Sequence, residues 1–297
     1  MKKIFLNLLK QPITNSYLPN LKLTTIKNEF FYNLSIAFDT NNYLVSIKKP
    51  INPKKQYTDK YAHRASQSKT MNLSFKKIAE KLKNKFKPKL SMEIGSNDGV
   101  FLKNFNKKEI IAVEPCKNLA KITNKKGYIT YDKFWDSSLA KKILKKKGSI
   151  DLIYSANTIS HIPNLKEVFK AISICLANNG VFVFEDPYIS SVLKNNSYDQ
   201  FYDEHVHVFS LIAISNLLRI HKLKIIDTEI LTTHGGSIRF YVARENSKYK
   251  ISRTVKKTYK SEISQKLNKF STYKKFSYRV QKSRIKIAKL LKELKKK

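Results

Sequence analysis

The sequence best suited to acid–base chemistry is a run of four polar residues, Tyr202, Asp203, Glu204 and His205. An imidazole is ordinarily neutral and basic near neutral pH, so His205 could remove a proton from a substrate. A carboxylate beside it, such as that of Glu204, can fix the tautomer of the ring and stabilise the imidazolium ion. His161, in the run SHIP, is a second candidate because it follows a predicted strand.

These histidines also have structural interpretations. His161 could simply cap the turn that follows it, and His205 and His207 lie two residues apart, so both could line one face of a strand. The residue types alone leave the catalytic and the structural interpretations open.

A second group of polar residues lies in the run MEIGSNDG at 92–99. Gly95 and Gly99 allow the backbone to approach a ligand closely, and we expect a helix to begin there with free N–H groups. The spacing is not the GxGxxG pattern of dinucleotide-binding proteins. Glu114 follows the next strand, at the position where α/β nucleotide-binding folds hold ribose hydroxyls with a carboxylate. We therefore predict that a nucleotide-like cofactor is bound by Glu93, Gly95, Asn97, Asp98 and Glu114.

Three more candidates follow later strands. Asp132 could accept a hydrogen bond from an adenine amino group and Phe134 could stack on its ring, although an ordinary turn explains both residues equally well. Asn157 ends the fourth strand, at the crevice where open α/β sheets bind ligands. We predict that all three contact the cofactor.

The pattern of elements indicates the fold class. Strand-like runs at 110–115, 128–132, 150–156 and 180–186 alternate with helical runs, which is typical of a parallel sheet with helices on both faces. A further helix and two strands could close the sheet with an antiparallel hairpin. This order fits a class I methyltransferase better than a classical dehydrogenase, so we predict an α/β, Rossmann-like sheet.

Composition divides the chain into three parts. Residues 1–70 alternate apolar and polar types over short stretches and predict a small β-rich lobe. Residues 71–248 contain the predicted methyltransferase domain. Residues 249–297 are lysine-rich with one apolar helical face, as in a docking helix or a solvated tail.

The net charge of +37 would ordinarily suggest an anionic partner. Only seven of the 59 basic residues are arginine, however, and the lysines occur with many asparagines and isoleucines, as in a general composition bias. Phosphate and base recognition relies strongly on arginine, so we do not expect nucleic acid as a partner. The two cysteines, Cys116 and Cys175, have no metal-binding spacing. The sequence contains no long apolar run, so we expect a cytoplasmic protein with no membrane partner.

Several motifs together resemble the sugar C-methyltransferase family, whose members act on keto-deoxysugars attached to a nucleoside diphosphate. In order, they are EIGSNDG, AVEP, SANTISHIP, FEDPY, QFYDEHVHVFS and THGGSIRFYV. Upstream, LLKQPITNSYL and KKQYTDKYAHRASQSKTM are similar to the amino-terminal lobe of that family and its junction with the next domain. The resemblance thus covers nearly the whole chain.

The resemblance implies S-adenosyl-L-methionine as the cofactor and a nucleotide-linked sugar as the substrate. It implies that His205 is the base, with Tyr202 and Glu204 beside it, and that His161 contacts the keto oxygen. An active-site tyrosine of the family falls on the run KYAHRAS, where we prefer Tyr61 to His63.

Two departures from the family pattern affect these expectations. Family members usually bind zinc through four cysteines in the amino-terminal lobe, whereas residues 1–70 contain none, so we expect no metal. The family's second Rossmann-like domain, which helps to hold the nucleotide, follows the basic helix and has no counterpart up to Lys297. A homodimer or a partner chain is the alternative source of that domain.

Other functions are open at this stage. An RNA methyltransferase would suit the positive charge, but the sequence lacks an NPPY-type motif for an exposed amino nitrogen. Another small-molecule methyltransferase or a non-catalytic remnant that only binds the cofactor are further alternatives. The YDEH cluster favours proton removal from carbon, and retention of the expected polar side chains argues against a remnant.

Overall fold

The computed structural model describes residues 1–15, 17 and 29–296, apart from the side chain of residue 234. Part of the upstream run LLKQPITNSYL, namely residues 16 and 18, lies outside the described residues.

The strands, numbered along the chain, are β1 (Lys2–Pro12), β2 (Phe31–Asp39), β3 (Val45–Ile47), β4 (Ser91–Ile94), β5 (Ile110–Val113), β6 (Ile129–Tyr131), β7 (Ile150–Ala156), β8 (Leu176–Pro187), β9 (His207–Val208), β10 (Leu223–Leu231) and β11 (Ser237–Arg244). The α-helices are α1 (Pro53–Gln56), α2 (Lys69–Phe86), α3 (Lys117–Lys125), α4 (Ser137–Lys147), α5 (Leu165–Cys175), α6 (Ile189–Asn195), α7 (Leu211–Arg219), α8 (Arg253–Ser264) and α9 (Phe270–Leu294).

The larger sheet has seven strands in the order β10-β11-β8-β7-β4-β5-β6. Its strands β4 to β8 pair in parallel, and β10 and β11 form an antiparallel hairpin at one edge. Strands such as Ile110–Val113 are apolar and buried throughout because apolar clusters cover both faces of the sheet. The predicted α/β, Rossmann-like fold is confirmed, and the crevice between β4 and β7 is where the strand order reverses.

A smaller antiparallel sheet has the order β1-β2-β3-β9. Its fourth strand comes from the segment between β8 and α7, where His207 pairs with Ser46 and Val208 pairs with Val45. The small sheet is therefore completed by residues from far along the chain, and it ties the amino-terminal lobe to the segment that contains the YDEH cluster.

The basic helix α9 packs against this lobe through its first half. Tyr273, Phe276 and Val280 are fully buried, and the Tyr273 ring stacks 4.5 Å from that of Phe38. Farther along, the apolar side chains from Ile285 onwards are exposed. None of the helices in the described part of the chain combines the length and apolar character needed to cross a membrane.

One expected element differs from the structure. The run after β4 continues into turns and a short 3₁₀ helix, Leu102–Asn104, instead of an α-helix. Gly95, Asn97 and Gly99 all have positive φ angles, which an α-helix does not permit, and β5 begins soon afterwards at Ile110. A helix start therefore contributes no N–H groups at this turn.

Candidate active site

A cavity of about 370 Å³ opens at the carboxyl ends of the central parallel strands, where the amino-terminal lobe and the YDEH segment cover it. Every predicted site residue except Asp98 and Asp132 lines this cavity. We call the part formed by the strand ends the cofactor half; it contains Glu93, Gly95, Asn97, Glu114, Phe134 and Asn157. We call the other part the acceptor half; it contains Tyr57, Tyr61, His161, Tyr202, Glu204 and His205.

The backbone after β4 approaches its neighbours very closely. The φ angle of Gly95 is +75°, and a Cβ atom at this position would collide with the side chain of Thr158. Its N–H donates to the carbonyl of Val113 over 2.8 Å. Asn97 and Asn157 also adopt the left-handed region, with φ angles of +49° and +48°. Glycine and asparagine tolerate this region best, which explains their presence at the sharp turns.

Two backbone N–H groups hold the carboxyl group of Glu114 in place. Its Oε2 accepts a hydrogen bond from the Asn97 N–H at 2.8 Å, and its Oε1 accepts one from the Cys116 N–H at 2.9 Å. Burial raises the pKa of Glu114, while these hydrogen bonds oppose the increase. Each oxygen can accept a further hydrogen bond, so the group can also bind ligand hydroxyls.

Glu93 lies deeper, with only 3% of its surface exposed. Its Oε2 has no hydrogen-bond partner among the described residues. Burial, followed by the negative charges of Glu114 and Asp98, raises the pKa of Glu93 well above its usual value. A positively charged group in the cavity would therefore be stabilised here, because it would offset both the burial and the repulsion.

Two predicted cofactor residues lie elsewhere. The carboxylate of Asp98 accepts hydrogen bonds from the backbone N–H and the hydroxyl of Ser66, so it anchors the junction before α2 instead of facing the cavity. Asp132 is exposed beyond the edge strand β6 and does not line the cavity. Both placements differ from the prediction. Phe134 does line the cavity, although 38% of it is exposed, and buried Trp135 beside it is a lining residue that was not predicted.

The geometry around His205 fixes its tautomer. Its Nδ1 lies 2.8 Å from the carbonyl oxygen of Gln200, which can only accept, so Nδ1 carries the proton. In the neutral ring Nε2 is then unprotonated, and it accepts a hydrogen bond from the Tyr202 hydroxyl at 2.9 Å. The Tyr202–His205 pair can therefore take up a proton from a group in the cavity.

Glu204 joins the YDEH segment to the amino-terminal lobe. Its Oε1 accepts a hydrogen bond from the Asn15 side-chain amide at 3.1 Å, and its Oε2 accepts one from the Tyr61 hydroxyl at 3.2 Å. Burial raises the pKa of Glu204 to about 7, although both hydrogen bonds oppose this change. His63 also lines the cavity, and its carbonyl accepts a hydrogen bond from the Asn97 amide at 3.2 Å. The contact with Glu204 favours Tyr61 as the active-site tyrosine.

His161 lies beside His205, with 5.4 Å between the ring centroids. Burial lowers the pKa of His161 well below its usual value, and His205 and His63 contribute to the decrease. A neutral imidazole can donate one hydrogen bond without carrying charge. His161 is thus suited to contact a polar oxygen and unsuited to act as an imidazolium acid.

Asp203, which was not predicted as a site residue, is fully buried and holds the YDEH segment in place. It accepts hydrogen bonds from the N–H of Thr14 at 3.0 Å, from the hydroxyl of Thr14 at 2.6 Å and from the amide of Gln56 at 2.8 Å. These partners lie 189 and 147 residues away along the chain, so no local sequence signal could have revealed them. We call this group the Asp203 clasp.

Comparisons with known proteins match two parts of the chain. Residues 61–227 match the family described as a methyltransferase domain, and residues 232–297 match the C-methyltransferase C-terminal domain. The chain is 30% identical over 204 residues to the C-methyltransferase NovU of Streptomyces niveus. The match covers 68% of this chain and 49% of NovU, so the chain spans about half the length of this relative.

The solved structures to which the chain shows some likeness include an S-adenosylmethionine-dependent methyltransferase from Clostridium acetobutylicum. It has a TM-score of 0.45 and 17% identity, and the match covers 60% of this chain and 93% of that one. Another is a methyltransferase from Thermotoga maritima described as a possible histamine N-methyltransferase, with a TM-score of 0.42 and 19% identity. That match covers 59% of this chain and 89% of the other.

The cofactor half fits S-adenosylmethionine. The cofactor carries a sulfonium and an ammonium group, and the unpartnered oxygen of Glu93 lies in a cavity whose carboxyl groups favour positive charge. Glu114 has oxygens that can accept hydrogen bonds from hydroxyl groups such as those of a ribose, and Gly95 keeps the backbone open for close approach. The match over residues 61–227, more than half of the chain, shows that the chain belongs to the methyltransferase-domain family, and its residues 232–297 match the C-methyltransferase C-terminal domain.

Proposed function

We propose that the enzyme methylates a carbon atom of a nucleotide-linked keto-deoxysugar after removing a proton next to the ketone. The observation that carries the proposal is the Tyr202–His205 pair, whose unprotonated Nε2 lies in the same cavity as the cofactor half. Methyl transfer to an oxygen or nitrogen lone pair does not require breaking a C–H bond. A positioned base is therefore most useful if the acceptor is carbon.

The geometry suggests a division of tasks in this reaction. The C–H bond next to the ketone breaks, its proton passes to the Tyr202–His205 pair, and its electrons move into an enolate with negative charge on oxygen. Neutral His161 lies beside the base and can donate a hydrogen bond to that oxygen. When bound, S-adenosylmethionine supplies the methyl group that the enolate carbon takes up.

Glu204 is suited to stabilise the positive charge that the Tyr202–His205 pair acquires with the proton. It adjoins His205 in sequence and lines the same cavity, so its carboxylate can stabilise the imidazolium ion. Asn15 and Tyr61 hold both of its oxygens. NovU is named as a C-methyltransferase, which agrees with a carbon atom as the methyl acceptor. The proposal of a nucleotide-linked sugar as the substrate is supported by the order of the sequence motifs.

The test uses the purified chain, S-adenosylmethionine and a thymidine diphosphate-linked 4-keto-6-deoxyhexose. We expect mass spectrometry to show one added methyl group on the sugar. In D₂O with S-adenosylhomocysteine, we expect deuterium to enter the sugar next to the ketone. Failure of both reactions, despite binding of the cofactor, would overturn the proposal. Salt-sensitive retention of RNA together with methylation of that RNA would support the RNA methyltransferase alternative instead.

A further inference from the structure

Tyr57 occupies the acceptor half but was not singled out by any sequence motif. It lies just after α1, and its ring is nearly parallel to that of His161, at 13° and a centroid distance of 6.3 Å. The ring of Tyr61 also lies close to that of Tyr57, at a centroid distance of 5.6 Å. Tyr57 is thus adjacent to two residues of the acceptor half.

The hydroxyl of Tyr57 is buried and has no hydrogen-bond partner among the described residues. Leaving a buried donor unsatisfied is costly, and native proteins rarely do so without a reason. The other two tyrosine hydroxyls of the acceptor half are occupied, because Tyr61 donates to Glu204 and Tyr202 donates to His205. Tyr57 therefore differs from both in having a donor with no acceptor in the part of the chain that the structure describes.

The surroundings keep this hydroxyl protonated. Burial raises the pKa of Tyr57 well above its usual value, and the charge of Glu204 is the next largest cause. A phenol in this state is a hydrogen-bond donor throughout the neutral range.

His161 presents a second unsatisfied atom on the adjacent ring. Its Nε2 is buried and likewise has no partner in the described part of the chain. Two stacked rings, each with an unsatisfied polar atom, line one side of the cavity that contains the Tyr202–His205 pair. A ligand that enters this part of the cavity could satisfy both atoms with a hydrogen-bond acceptor.

We propose that the Tyr57 hydroxyl and His161 Nε2 together bind the carbonyl oxygen of the acceptor and stabilise it as the enolate forms. His161 then carries its proton on Nε2, and both groups donate to the oxygen. This inference rests on the proposed function, since it assigns the residues that would hold the ketone. Tyr57 is thereby a further catalytic residue, and its hydroxyl strengthens its hydrogen bond as negative charge develops.

The experiment compares Tyr57→Phe with the wild-type enzyme in the two assays with the thymidine diphosphate-linked 4-keto-6-deoxyhexose. Phenylalanine keeps the ring next to His161 and removes only the hydroxyl. We expect both deuterium exchange and methyl transfer to fall by about 10²-fold, which is typical for loss of one donor to a developing oxyanion. The dissociation constant of S-adenosylmethionine should remain unchanged. Tyr278→Phe, at an exposed position on α9, is the matched control and should retain full activity.

The outcomes separate this inference from the proposed function. If the wild type exchanges and methylates the sugar but Tyr57→Phe does so at a similar rate, the hydroxyl has no catalytic part and the inference is wrong. The same holds if only Tyr57→Leu, which also removes the ring, impairs the reaction, because packing against His161 would then be the whole contribution. If the wild type itself neither exchanges nor methylates the sugar, the proposed function fails, and the inference fails with it.

Discussion

The cofactor half of the cavity is formed by neighbouring strand ends, whereas the acceptor half is assembled from segments far apart in the sequence. Glu93 lies in β4 and Glu114 directly follows the paired strand β5, and the backbone of the same region holds the Glu114 carboxylate. In the acceptor half, Glu204 depends on Asn15 and Tyr61, and Asp203 depends on Thr14 and Gln56. One half is supported by the sheet itself, and the other by the docking of the amino-terminal lobe.

This difference indicates that the two halves can be disturbed separately. The interior of a parallel sheet is rigid because its strands pair on both sides, so the cofactor half should tolerate changes in the lobe. The acceptor half should respond to small displacements of the lobe, since the productive geometry of a base is narrow. Substitutions in each half should therefore have distinct effects on cofactor affinity and on turnover.

The largest effect is expected for His205→Asn. Asparagine can keep a hydrogen bond to the Gln200 carbonyl but cannot accept a proton, so methyl transfer should fall by about 10³-fold. The affinity for S-adenosylmethionine, measured by calorimetric titration, should be nearly unchanged. His221→Asn, outside the cavity, serves as the control. Loss of cofactor binding would show that the two halves cannot be disturbed separately. Turnover close to wild type would show that His205 is not the base.

Gly95→Ala should damage the cofactor half. The new Cβ would collide with Thr158, so we expect the affinity for S-adenosylmethionine to fall by at least about tenfold, with turnover falling as well. Gly148→Ala is a matched control because it has a similar φ of +81° but no atoms within 4 Å of its Cβ. Equal losses in the two variants would mean that backbone strain alone, not close packing at the cofactor site, causes the effect.

A smaller effect is expected for Asp203→Asn, which weakens the Asp203 clasp. The amide can accept at only one of its two side-chain atoms, so it cannot satisfy both Thr14 and Gln56 as the carboxylate does. Turnover should decrease by about tenfold with little change in cofactor affinity, as expected for a slight misplacement of the base. Asp199→Asn, on the exposed surface nearby, should leave steady-state kinetics unaltered.

The smallest effect concerns the pH dependence of stability. The pKa of Glu204 is raised from 4.5 to about 7 in the folded protein. The protonated side chain therefore stabilises the folded protein fully below about pH 4.5, and this stabilisation is lost as the pH increases through about 7. Glu204→Gln should reduce the difference in stability between about pH 5 and about pH 8 by about 1 kcal/mol, or roughly 2–4 °C in Tm. Thermal unfolding of both proteins at the two pH values tests this. An unchanged difference would show that Glu204 is not the group responsible.

Much of the fold could be predicted from the sequence because the central strands are short, apolar runs separated by clear helical periodicity. The strand Ile150–Ala156 has the boundaries predicted from the pattern. The absent helix after β4 was harder to predict, since the positive φ angles at Gly95, Asn97 and Gly99 depend on close packing that the sequence does not show.

The site was predictable where short motifs contain the residues. Glu93, Glu114, Tyr202, Glu204 and His205 line one cavity, as their positions at strand ends and their resemblance to a known family suggested. Asp98 was predicted to bind the cofactor because nothing in the sequence reveals that Ser66 donates hydrogen bonds to its carboxylate. Tyr57 and the Asp203 clasp were missed for the same reason: their significance lies in contacts between distant segments.

The pairing of β9 with β3 also has a consequence for synthesis on the ribosome. The first three strands of the small sheet leave the exit tunnel long before residues 207–208 exist, and the buried residues of α9 that cover the sheet come later still. At about 5–20 residues per second, this delay is on the order of ten seconds. During that interval β3 exposes an unpaired edge of the kind that favours aggregation, so the nascent lobe should be a substrate for chaperones until translation passes β9.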